Sequence, residues 1–199
     1  MTANHLITVP HPTLRRVAQP VSQVDESLRQ LVSDLRLELT KTNSRGIGLA
    51  APQINQSQQV FATYINLETG DPDQGQRQFQ LYFNPQPITI HSPELSLGPD
   101  PQSPTLEGCL SIPGFYGPVP RWSWIEISYQ TLVGNQLIDH TQKLEDFVAR
   151  LVQHEFDHLQ GKLFTDYTLE FDLPIYRENK TTGKLIELTD IERQVLTTF

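Results

Sequence analysis

The chain has 199 residues and a formal net charge of −8, with 37% hydrophobic and 19% charged residues. This composition suits one compact domain with a substantial core and excludes a disordered chain. The acidic balance argues against DNA as the main ligand, because proteins that track phosphate backbones usually carry a basic face. No apolar run is long enough to cross a bilayer, so we expect no membrane partner.

The first half of the chain predicts one amphipathic helix and two strands. Apolar residues recur at three- and four-residue intervals from Leu28 to Leu39, which predicts a buried helical stripe capped by Ser22 or Asp25. Residues 46–53 (GIGLAAPQ) favour a tight backbone passage rather than a regular helix or a central strand. Short β-branched or aromatic runs at 60–65 and 79–84 predict strands, separated by an exposed loop over 68–75.

The second half predicts a hairpin and a second helix. Prolines in 85–105 indicate a surface excursion. Alternating apolar residues from Trp122 predict a strand that turns at residues 134–135 into another strand near 137–141. Residues 147–159 predict a helix that ends before Gly161. A hairpin turn at 180–184 and a short helix over 191–196 complete the expected elements.

The second helix contains HEFDH at residues 154–158. Two histidines four residues apart lie one turn apart on the same helical face, so His154 and His158 could bind one metal ion. Glu155 lies beside the first histidine, where it could exchange protons with an activated water. The alternative is an ordinary amphipathic helix whose two histidines are satisfied by hydrogen bonds.

A catalytic tetrahedral metal needs a third protein ligand. Cys109 is the strongest candidate, because its EGCLS setting (residues 107–111) holds the thiol on a turn or strand end relaxed by glycine. A lone cysteine can also be a small buried apolar residue. Several downstream glutamates are weaker candidates for the third ligand: Glu170, Glu178, Glu187 and Glu192.

The sequence also predicts where the protein acts. Cys109 is the single cysteine, which excludes an intrachain disulfide, and residues 1–11 lack the pattern of a secretion signal. We therefore expect a cytoplasmic protein.

Three segments of the chain resemble the signature motifs of the peptide deformylase family. They are GIGLAAPQ at residues 46–53, EGCLS at 107–111 and HEFDHLQG at 154–161, and they occur in the family's order. The resemblance covers roughly residues 5–168. It implies a metal-dependent hydrolase that removes the formyl group from formyl-methionyl peptides and nascent chains and releases formate.

The resemblance also assigns roles to residues. It implies that Cys109, His154 and His158 bind one divalent ion, usually Fe²⁺, with Zn²⁺, Ni²⁺ or Co²⁺ as alternatives. Ligand chemistry alone would favour zinc. It implies that Glu155 moves protons, and that the Gln53 amide and the Leu110 backbone N–H stabilise the oxyanion. The residues expected to bind substrate are Gly46, Ile47, Gly48, Glu107, Gly108, Phe147 and Leu151.

Some of these expectations have structural alternatives. Gly46 and Gly48 could admit an extended peptide or simply form a tight turn. Ile47, Phe147 and Leu151 could line a pocket for the first side chain, expected to be methionine, or pack in the core. A deformylase-like module without activity and a zinc peptidase that cleaves internal bonds are the rival functions.

The expected fold is α+β, with antiparallel sheets surrounding a central helix that carries the HExxH metal motif. Residues 1–168 are expected to form the catalytic domain, and residues 169–199 a C-terminal extension packed on it or trailing from it. Some bacterial relatives dock on the ribosome through a basic C-terminal helix. The extension here carries more acidic than basic residues, which makes that partner doubtful.

Overall fold

The computed structural model describes residues 6–41, 46–66, 74–100 and 102–197. Most of the predicted loop at 68–75 and the exit from the first helix at residues 42–45 lie outside these ranges. Across the described ranges, no helix combines the length and the apolar character needed to cross a bilayer. The helices and strands that follow confirm the α+β expectation.

Four α-helices occur in the described residues: α1 (Glu26–Thr40), α2 (Asp146–Leu159), α3 (Phe164–Glu170) and α4 (Asp190–Thr197). The side chain of Asp25 accepts a hydrogen bond of 2.9 Å from the Leu28 backbone N–H, so Asp25 rather than Ser22 caps α1. Gly161 has φ of 70°, a backbone conformation that glycine adopts without strain, and follows the end of α2. Two 3₁₀ turns, Pro12–Arg15 and Ala51–Ile54, complete the helical elements described.

The strands run antiparallel to their neighbours in three sheets within the described residues. The largest sheet contains β1 (Gly48–Ala50), β2 (Val60–Ile65), β3 (Gln78–Phe83), β4 (Ile90–His91), β9 (Trp124–Val133) and β10 (Gln136–Glu145). Its strand order is β1-β2-β3-β9-β10, with β4 paired to β9. The second sheet has the order β12-β11-β7-β6 and contains β6 (Leu106–Cys109), β7 (Ile112–Pro118), β11 (Tyr176–Glu178) and β12 (Leu185–Glu187). The third sheet pairs β5 (Leu95–Ser96) with β8 (Arg121–Trp122).

The largest sheet is buried on both faces near its β1 edge. Along β2, Phe61 belongs to the apolar cluster that contains Val152 of α2, whereas Val60 and Ala62 belong to the cluster that contains Leu35 of α1. Successive side chains of a strand point to opposite faces, so α1 and α2 cover opposite sides of this sheet. The helix that carries both histidines is therefore fixed against a rigid sheet.

Residues 46–53 form more regular structure than the sequence predicted. Residues 48–50 are a short strand at the edge of the largest sheet, paired with β2, and residues 51–54 form a 3₁₀ turn. The sequence excluded a central strand at these residues, and β1 lies at the edge of the sheet. Gly48, at the start of β1, lines the cavity described below.

The C-terminal extension is part of the second sheet. Strand β11 pairs with β7, and its neighbour Ile175 is fully buried. Strand β11 therefore belongs to the same sheet as Cys109, and residue 168 lies within α3. Strands β11 and β12 flank the predicted turn at 180–184.

Candidate active site

The structure brings Cys109, His154 and His158 together. Cys109 ends β6, where the pairing with β7 shifts register, and the two histidines lie one turn apart on α2. One ligand atom from each residue lies within 4.8 Å of the other two, and all three residues are buried. Cys109 Sγ is 3.3 Å from His158 Nε2, close to the roughly 3.6 Å expected between sulfur and nitrogen around a tetrahedral metal ion. The donor set suits one divalent metal ion.

Glu107 orients His154. Its Oε2 lies 2.9 Å from His154 Nδ1. An ionised carboxylate can only accept hydrogen bonds, so Nδ1 is the donor and Nε2 remains free for a metal. Although burial raises the pKa of Glu107, the charge and hydrogen bonds of Arg121 hold it well below its usual range. Glu107 is therefore ionised where it accepts the hydrogen bond from His154 Nδ1. The sequence had suggested only a substrate-binding role for Glu107, not this orienting role.

A buried ion network continues behind this carboxylate. Arg121 donates hydrogen bonds of 3.0 and 2.9 Å to Glu107 and also pairs with Asp157. Arg150 donates to Glu107 at 3.3 Å and to the Val119 carbonyl at 2.7 Å. The network joins β6, β8 and α2, so it fixes the strand that ends in Cys109 relative to the helix that carries the histidines.

Glu155 is 3% exposed, and its Oε2 has no hydrogen-bond partner among the described residues. Burial raises the pKa of Glu155 to about 7, even though the charge of His154 opposes this rise. A carboxyl group with a pKa near neutrality can both accept and return a proton at ordinary pH. These properties are those expected of a general acid and base.

Gly48 lies directly against this carboxylate. A Cβ atom at Gly48 would stand 2.2 Å from Glu155 Oε1 and 2.7 Å from its Cδ. The absence of a side chain at Gly48 therefore leaves the space that Glu155 occupies. This requirement adds a third reason for glycine, beside the turn and the peptide approach considered from the sequence.

Gln53 presents its amide nitrogen to the ligand cluster. Its Oε1 accepts a hydrogen bond of 2.8 Å from the Ala50 backbone N–H, which fixes the orientation of the amide. Its Nε2 lies 3.4 Å from Cys109 Sγ and 3.3 Å from Ser111 Oγ. Gln53 therefore holds a donor beside the candidate metal ligands, and Leu110 lines the adjoining cavity.

One cavity of about 580 Å³ joins these groups. All seven expected substrate-binding residues line it: Gly46, Ile47, Gly48, Glu107, Gly108, Phe147 and Leu151. Phe147 remains 37% exposed, and Ile47 is half-buried. Leu151 is 7% exposed, so it is buried and borders the cavity as well. The lining also includes residues that the sequence did not single out for it: Leu6, Phe115, Tyr116, Arg150 and Glu178.

Comparison with known proteins agrees with the geometry of this site. The family model described as polypeptide deformylase matches residues 3–172. The chain belongs to the peptide deformylase family. Peptide deformylases are metal-dependent hydrolases that remove the N-terminal formyl group from nascent peptides, and this chain has that activity.

Individual relatives support the assignment along most of the chain. Peptide deformylase 2 of Nostoc sp. is 40% identical over 162 residues, which covers 81% of this chain and 83% of that protein. The peptide deformylase of Roseiflexus castenholzii is 33% identical over 192 residues and is covered completely.

Solved structures agree as well. A Synechococcus elongatus peptide deformylase, solved in complex with actinonin, is 32% identical with a TM-score of 0.65, covering 82% of this chain and 79% of that one. The Thermotoga maritima enzyme is 30% identical with a TM-score of 0.66, covering 84% and 98%. The family's three motifs meet at the cavity of this deformylase.

Proposed function

We propose that Cys109, His154 and His158 are the ligands of the catalytic metal in this deformylase, and that Glu155 is its general acid and base. The observation that carries the proposal is the convergence of one thiol and two imidazoles, all buried, beside a buried carboxyl group that lacks a partner among the described residues. A divalent ion held by these ligands would polarise the formyl carbonyl and lower the pKa of a water molecule.

The protein's own groups then carry out the remaining steps. Glu155 accepts a proton as water attacks the formyl carbon, and later delivers it to the amine nitrogen as the carbon–nitrogen bond breaks. The Gln53 amide and the Leu110 backbone N–H donate hydrogen bonds to the oxyanion that develops on the formyl oxygen. The products are formate and a peptide with a free N-terminus.

We propose that the formyl-methionyl side chain enters the part of the cavity lined by Ile47, Phe147 and Leu151. These apolar residues border the cavity that contains His154 and Glu155. The outer edge of β1 at Gly48 would pair with the peptide backbone, because main-chain pairing accepts any later sequence.

Substitution of Glu155 by alanine tests the assigned roles. Formate release from formyl-Met-Ala-Ser should fall by about 100-fold or more, while the metal content stays at one ion per chain, because Glu155 is not a ligand. Cys109→Ala should instead lose the metal. Near-normal turnover in Glu155→Ala would remove the proton-transfer role, and full metal occupancy in Cys109→Ala would remove the proposed ligand set.

We further propose that the working metal is Fe²⁺ and that the enzyme acts in the cytoplasm. A reducing compartment keeps the Cys109 thiolate and a ferrous ion from oxidising. We expect no DNA or membrane partner, and no ribosome docking through the extension, which has a net negative charge.

The two rival functions considered from the sequence, a zinc peptidase and an inactive binding module, predict reaction products that differ from those of a deformylase. A peptidase would cut an N-blocked peptide at an internal bond, and the inactive module would cut neither substrate. Parallel assays of formate release and internal cleavage distinguish the three functions.

A further inference from the structure

The C-terminal extension contributes to the wall of the substrate cavity. The family match ends at residue 172, and β11 and β12 lie beyond it. Within β11, Tyr176 pairs with Tyr116 and Arg177 pairs with Phe115, and both partners on β7 line the cavity. The extension thus adds β11 and β12 to the sheet that carries Cys109.

The added strand is held firmly against β7. Ile175 and Leu188 are both buried, and the Leu188 backbone N–H donates a 2.8 Å hydrogen bond to the Ile175 carbonyl. A Cβ atom at Gly117 would lie 3.3 Å from the Pro174 carbonyl, which shows how closely the backbone just before β11 approaches β7. The backbone of β11 is therefore held beside the cavity.

Glu178, at the end of β11, lines the cavity and is half-buried. The Tyr116 hydroxyl donates a hydrogen bond of 3.4 Å to Glu178 Oε2. Among the residues that the structure describes, no lysine or arginine forms an ion pair with Glu178. The hydrogen-bond donor to this carboxyl group is thus a phenol rather than a cationic side chain.

The other charged groups of the cavity are already engaged. Glu107 is paired with Arg150 and with His154. Glu155 is buried beside the candidate metal ligands and serves proton transfer in the proposed function. Glu178 is therefore the carboxylate in the cavity wall that remains to interact with a substrate.

We propose that Glu178 makes this deformylase prefer formylated peptides that carry a lysine or arginine side chain downstream of the formyl-methionine. The proposal rests on the proposed function and adds side-chain selection to backbone pairing. The cationic side chain would form an ion pair with the Glu178 carboxylate, whereas an acidic side chain would be repelled. The net charge of −8 adds a long-range attraction for cationic peptides.

A peptide series tests the proposal. Formyl-Met peptides with lysine, glutamine or glutamate at the second, third or fourth position would be compared by kcat/KM in the metal-loaded enzyme. At one of these positions we expect lysine to exceed glutamate by about three- to tenfold at low salt, as for a partly exposed ion pair. The preference should shrink at 0.5 M NaCl, since salt screens the interaction.

Two variants attribute the preference to Glu178. Glu178→Gln keeps an oxygen to accept from Tyr116 and should reduce the lysine-to-glutamate ratio to near one, mainly through KM. Glu178→Lys should invert it. Glu187→Gln makes the same charge change in the same hairpin, on an exposed residue that is not among those lining the cavity, and should leave the ratio unchanged.

The result that would overturn the proposal is a ratio near one in the native enzyme at all three positions, or a preference that persists in Glu178→Gln. Kinetics with formyl-Met-Ala-Ser separate this failure from a failure of the proposed function. The native enzyme and the control variant Glu187→Gln should process that peptide equally, whatever the lysine-to-glutamate ratio, whereas absence of formate release from the native enzyme would refute the proposed function itself.

Discussion

Substitution of Gly48 by alanine should disable the enzyme by displacing Glu155. The added methyl group would lie 2.2 Å from Glu155 Oε1, while contacts of real Cβ atoms essentially never fall below 3.0 Å. The carboxylate must therefore move by at least 0.8 Å. Since a misplacement of about 1 Å in an active site can cost about 100-fold in rate, we expect kcat to fall by about that factor.

The assay is formate release from formyl-Met-Ala-Ser at saturating substrate, with metal content and the unfolding midpoint measured on the same samples. Metal content should be unchanged, because the three atoms nearest to the added methyl group all belong to Glu155 and not to a proposed ligand. A rise in KM without a fall in kcat would indicate that the methyl group obstructs the peptide rather than Glu155.

A double-mutant cycle isolates the cause. In Glu155→Ala the side-chain atoms that meet the new methyl group are gone, so adding Gly48→Ala should slow the residual turnover by less than about threefold. Equal slowing in both backgrounds would refute the reasoning, as would near-normal kcat in the single variant Gly48→Ala.

Three other predictions follow from the network, the metal and the extension. Arg121→Met leaves Asp157 without its buried cation and Glu107 with Arg150 alone, and it should lower the free energy of unfolding by about 3–5 kcal/mol, measured by urea denaturation. Arg177→Met, which removes an exposed pair with Glu192, should cost less than about 1 kcal/mol, and equal losses would contradict the argument. The iron-loaded enzyme should lose activity in air while the nickel-loaded enzyme keeps it; equal decay would count against iron. The whole chain should not co-sediment with ribosomes at 0.15 M salt, and stable co-sedimentation would show that the acidic balance of the extension is no barrier.

Local patterns in the sequence predicted the elements that hold the site. The strict apolar spacing of α1 and the alternation along β9 each identify one buried face, and both elements occur with bounds close to those expected. The HEFDH segment places two imidazoles on one helical face because the spacing within a helix is fixed. Cys109 was the strongest candidate for the third ligand, and the resemblance decided in its favour, because its approach to the helix depends on a strand 45 residues upstream of His154.

The ion network was less predictable, because its members come from different elements. Nothing in the sequence spacing of Arg121 links it to Glu107 or Asp157. Such contacts depend on how β6, β8 and α2 pack together, which the periodicity of a single element does not encode. The only local signal was the presence of charged residues in segments that are otherwise apolar.

The contacts of Gly48 and Glu178 were also beyond sequence reasoning. A glycine in a short motif predicts backbone freedom, but the atom that would fill its side-chain position comes from α2. Glu178 lies in a part of the chain with weak periodicity, three residues after the buried Ile175, and the pairing of β11 with β7 brings it to the cavity.

X-ray absorption at the metal edge of anaerobically prepared enzyme tests the proposed site most directly. With zinc substituted, we expect one sulfur at about 2.3 Å and two imidazole nitrogens at about 2.0–2.1 Å, and the sulfur contribution should vanish in Cys109→Ala. A metal shell without sulfur in the native enzyme, or with sulfur retained in that variant, would contradict the site formed by Cys109, His154 and His158.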